Sequence, residues 1–107
     1  MLKRTKALPA KEARIASEKG RTKRTNTVIN SCIGTLNRHI EVAVAEGEYS
    51  THTWLRNHSG FLTFSAMNII ADHFRKAGYS VTVEKIENDP VFVEEYAIEL
   101  NWEDAAC

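Results

Sequence analysis

The chain has 107 residues, 43% hydrophobic and 26% charged, which bounds it to one small globular domain with room for a tail. Its 14 basic and 14 acidic residues cancel, and no apolar run approaches the ~20 residues needed to cross a bilayer. The charged start has no apolar segment after it, which argues against a secretory signal, and two unspaced cysteines, Cys32 and Cys107, make no disulfide framework.

The neutral total hides a polarity. Nine basic residues fall in the first 24: Lys3, Arg4, Lys6, Lys11, Arg14, Lys19, Arg21, Lys23 and Arg24. Only Glu12 and Glu18 oppose them, so this segment carries +7 and residues 25–107 carry −7. The segment has some mitochondrial-presequence character, but its two glutamates and weak apolar face argue against that, and the expected location is cytosolic. Clustered Lys and Arg attract phosphate backbones because binding releases condensed counterions. All nine are therefore candidate nucleic-acid contacts, with DNA and RNA both open. An acidic protein surface is the other expected target, and a solvated tail, or one folded onto its own acidic domain, is the structural alternative. No aromatic residue interleaves with these charges, so base stacking is not implied.

In chain order, Pro9 starts a short helix-permissive stretch that Gly20 is expected to end. A second helix is predicted over 26–46, where Ile29, Ile33, Leu36, Ile40, Ala43 and Val44 recur every three or four residues. Thr25 or Asn26 supplies its expected cap, and Gly47 its stop. Val28 and Val42 lie off the main stripe and are candidate interface residues, while Gly34 inside the helix points to close approach of another backbone. The connector 48–60 holds a short strand candidate at 51–55 and a turn at His58, Ser59 and Gly60.

A further helix is predicted over 62–77, with Leu62, Ala66, Ile70, His73, Phe74 and Ala77 on one face. Gly78 then takes the left-handed position and Tyr79 is its apolar partner. Two alternating strands follow, from Tyr79 to Glu84 and from Glu95 to Trp102, joined by a turn at 87–90. The expected fold class is α+β: a basic arm with a short helix over 1–24, then a domain over 25–107 in which two amphipathic helices cover a C-terminal antiparallel hairpin. A lone two-stranded sheet is weak and leaves open edges. Either the connector adds a third strand or a second copy completes the sheet, and a homo-oligomer of at least two chains is expected.

No catalytic constellation stands out. The histidines His39, His52, His58 and His73 have no HExxH or CxxC context, so no metal is expected. Serines lack a nucleophile elbow, glycines are isolated rather than clustered into a phosphate loop, and Asp72 and the Glu94–Glu95 pair read as solvated carboxylates. No cofactor is expected either. Trp54, Phe61 and Phe64 flank the connector and are candidate interface anchors or core residues; Val91, Phe92 and Val93 add apolar surface beside the hairpin.

Three stretches, EVAVAEGEYS (Glu41–Ser50), FRKAGYSVTV (Phe74–Val83) and YAIELNW (Tyr96–Trp102), together resemble small proteins of tailed bacteriophages over about residues 28–102. There a helix ends in a Gly-Glu-Tyr-Ser-like turn, another ends in Gly-Tyr, and a hairpin finishes in an Ile/Leu-x-Trp strand. The resemblance implies phage origin and a binding or assembly role, and brings no catalytic residues. The expectation is a non-enzymatic accessory protein in the host bacterial cytoplasm. Its acidic body would bind itself or a protein partner, including host machinery, with no membrane contact. A minor capsid or tail component of the virion is the alternative, and a small enzyme the third.

Overall fold

The computed structural model describes residues 6–57, 59–86 and 94–105. Its elements run α1 (Ala10–Ala45), β1 (Ser50–Arg56), α2 (Phe64–Lys76), β2 (Ser80–Ile86) and β3 (Glu95–Asn101). The architecture is α+β, with two helices on one face of a three-stranded antiparallel sheet ordered β1-β3-β2. The expected turn at 87–90, together with Lys3, Arg4, His58, Val91, Phe92, Val93 and Cys107, lies outside the described residues.

The first helix departs from expectation. Gly20 does not end a short helix, and Thr25 and Asn26 cap nothing; one 36-residue helix runs through all three. A single glycine costs a helix interior only about 1 kcal/mol relative to Ala, and helix-compatible residues flank it on both sides. At 1.5 Å per residue the rod is about 54 Å long. Thr22, Thr27 and Thr35 satisfy their hydroxyls on the carbonyls of Glu18, Lys23 and Ser31 at 3.0–3.1 Å, so these polar side chains need no outside partner. Only the second half of α1 contributes buried residues. Ile29, Leu36, Ile40 and Ala43 are its buried residues, on the stripe that the sequence periodicity marks. The radius of gyration is 19.0 Å, against about 13 Å for a compact chain of 100 residues, because the first half stands off the body.

Both helices stop by the same device. Gly47 and Gly78 take φ of 76° and 102°, which glycine adopts without a Cβ penalty. The next N–H then reaches back five residues, from Glu48 to the Ala43 carbonyl (2.9 Å) and from Tyr79 to the Phe74 carbonyl (3.1 Å). Tyr79 also packs edge-on against Phe74 at 5.7 Å between ring centroids. Helix α2 starts two residues later than the periodicity predicts. Thr63 caps it, its hydroxyl accepting from the Ala66 N–H at 3.2 Å, and Leu62 is buried just ahead of the helix rather than within it. His73, expected on the apolar face, is exposed, as is Ile69, while Met67 is fully buried.

The connector supplies the third strand, and it pairs with β3 rather than β2. Thr53 and Val83 both face Ile98, placing β3 in the centre. Its alternation sends Tyr96, Ile98 and Leu100 to the helix side, where each is completely buried with Leu36, Met67 and Ile70. Each such side chain contributes roughly 1.5–3 kcal/mol on removal from water. The one buried polar residue among those described, Thr53, is bonded by its hydroxyl to His39 Nδ1 of α1 at 2.6 Å. Arg75 ties α2 to the sheet, donating to the Val81 carbonyl at 3.0 Å while pairing with Asp72. Gly34 shows no close approach: a methyl group there would meet nothing within 4 Å.

Candidate nucleic-acid interface

Helical geometry fixes how the basic residues are displayed. Lys11, Arg14, Lys19, Arg21, Lys23 and Arg24 occupy about four turns of α1, at 100° per residue, so they project from several sides of the rod. All six are exposed, as is Lys6 just before the helix. Among the described residues the only ion pair they make is local, Arg14 Nε to Glu18 Oε1 at 3.3 Å, with both side chains mostly in water. Such an exposed pair adds little. Among the described residues, the acidic side chains of the body are therefore not spent on neutralising this half-helix.

The other expected site residues separate. Val28 is half-buried and packs against the core, whereas Val42, on the same helix, is 58% exposed. Trp54 projects from the open face of the sheet, 61% exposed, with its ring 5.2 Å from His52. Phe64 is half-exposed and stacks on Tyr96 at 6.1 Å. Phe61 does something the spacing gives no sign of. The guanidinium carbons of Arg21 and Arg24 lie 5.1 and 5.2 Å from its ring centroid, so the turn before α2 touches the root of the projecting half-helix.

Several other polar groups pair locally. Glu94 accepts the Tyr96 hydroxyl and lies 3.9 Å from Lys85; Glu95 lies 3.7 Å from Arg56. Burial and the neighbouring Glu94 carboxylate push the Tyr96 phenol up to about 12. Half-burial pushes the Cys32 thiol up from its ordinary value, which disfavours the thiolate. An open groove of about 530 Å³ runs past His39, Glu46, Glu48 and His52. Among the described residues no three His, Cys, Asp or Glu side chains are grouped to hold a metal ion. No described helix is long and apolar enough to cross a membrane.

No family model, curated protein or solved structure matches this chain.

Proposed function

We propose that the protein is a non-catalytic nucleic-acid-binding accessory protein, whose basic half-helix lies along phosphate backbone while its acidic body faces away. One observation carries this: six exposed cations on four turns of a rod that stands off the body, with a single local ion pair among them. A helix charged on several sides suits a groove walled by phosphates on both flanks, as continuous basic helices do in the DNA major groove. The body, at −7, is repelled by the same polyanion, which orients the chain. The resemblance to small phage proteins supports a role during infection, in the host cytoplasm, with assembly into the virion as the competing placement.

Fluorescence anisotropy with duplex DNA, single-stranded DNA and duplex RNA, over a salt series, tests the proposal. If all six described helix cations engage duplex DNA, log K falls against log salt with a slope near −5. Binding that is absent at low salt, or insensitive to salt, refutes it. Mass spectrometry of purified phage particles separates the two placements. Self-association through the outer edges of β1 and β2 belongs to the same proposal, and light scattering at tens of micromolar checks it: a monomer there removes it.

A further inference from the structure

The turn that carries Phe61 is held from within. The Asn57 side-chain carbonyl accepts the Leu62 N–H at 2.9 Å, and the Ser59 hydroxyl accepts the Phe61 N–H at 3.2 Å. Thr63 then caps α2. The ring is thus fixed by its own backbone, against α1 just ahead of the first buried residue, Ile29. Arg21 and Arg24, three apart on the helix, both lie against it, which holds two cations within about 10 Å of one another. No ion pair joins either to a carboxylate among the described residues, ten of which in 25–107 are acidic. A purely structural arginine pair gains by having a carboxylate between its members. Two stacked guanidiniums without one keep their in-plane N–H donors free for an outside anion.

We propose that Arg21 and Arg24, positioned by Phe61, form a phosphate clamp that grips the nucleic-acid backbone at the root of the half-helix. This rests on the nucleic-acid reading above and deepens it: the cations are not equivalent. Stacking fixes two rotamer-rich side chains before the ligand arrives, so less ordering is needed on binding. Lys11 and Lys19, with no such support, contribute charge alone.

The full-length chain and a 20-base-pair duplex provide the test. Phe61→Leu is expected to weaken binding about five- to tenfold while leaving the salt slope unchanged, because no charge is removed. Phe61→Trp keeps an aromatic face and restores wild-type affinity. Arg21→Gln with Arg24→Gln flattens the slope by about two and weakens binding at least tenfold more than Lys11→Gln with Lys19→Gln, which flattens it equally. Wild-type affinity in Phe61→Leu, or equal losses for the arginine and lysine pairs, overturns the clamp and leaves the nucleic-acid reading standing. Should Phe61→Leu fail to fold, the comparison of the two pairs decides alone. Absence of salt-dependent binding by the intact chain overturns both.

Discussion

Replacing the two helix glycines one at a time separates the two halves of α1. At both Gly20 and Gly34 an added methyl group meets nothing within 4 Å, and neither has positive φ, so alanine fits each site without strain. The intrinsic gain is about 1 kcal/mol in either place. Where it is felt differs. Gly34 lies between the buried Ile29 and Leu36, so its helical conformation is needed for the core to form. The whole gain is then expected in global unfolding: a roughly fivefold higher ratio of folded to unfolded chain, or about 4–8 °C in Tm for a domain of this size. Gly20 lies nine residues ahead of the first buried side chain, so Gly20→Ala is expected to raise far-UV helical signal while moving the global midpoint by no more than a few tenths of a kcal/mol. Urea titrations followed by Trp fluorescence and by circular dichroism report the two effects separately. A Gly34→Ala variant less stable than the parent would refute the reasoning. It would mean that another backbone approaches Gly34, as the sequence alone suggests, and the natural source of that backbone is a second copy. An equal gain at Gly20 would show that the contact of Arg21 and Arg24 with Phe61 couples the projecting half to the body.

Three other outcomes follow from the same packing. Tyr96 is protonated in the folded state up to about pH 12, whereas an unfolded tyrosine ionises near 10. The folded chain therefore holds a proton that the unfolded chain releases, so this contribution is complete below pH 10 and is lost as pH rises from 10 to 12. Stability curves for Tyr96→Phe should lose that part of the alkaline decline. Leu36→Ala, at a fully buried site between α1 and the sheet, is expected to cost about 2–5 kcal/mol in denaturant melts, and a cost under 1 kcal/mol would contradict its central place. Removing residues 1–24 leaves every buried residue among those described in place, so the body should keep its near-UV spectrum while losing duplex binding at low salt; undiminished binding would assign the contact to the body.

Much of the body is legible in the sequence because burial there follows simple periods. The Ile29–Leu36–Ile40–Ala43 stripe, the glycine stops after both helices and the two-residue alternation of Tyr96, Ile98 and Leu100 all appear where the pattern puts them. The failures have physical reasons. Gly20 reads as a stop because glycine is a poor helix former, yet nothing beside it offers the chain a better conformation. Thr63 is hidden as a cap because Leu62 and Phe64 flank it and make the run look like helix from the start. The strand order β1-β3-β2 depends on which edge of the hairpin the connector meets, and local pattern carries no information about that. The candidate interface is legible as charge but not as geometry. Charge counting finds the cations of α1; it does not find Phe61, whose link to Arg21 and Arg24 joins residues about forty apart.

That α1 is one rod has a kinetic and energetic side as well. A peptide made of its first eighteen residues alone would face the unfavourable first turn of helix formation, a factor of about 10⁻³, for each helix it starts. Here the docked half has already met that penalty, and the helix extends toward Pro9 one residue at a time from a template the core holds in place. The cationic rod therefore exists before anything binds to it, and a ligand that grips it need not first assemble it.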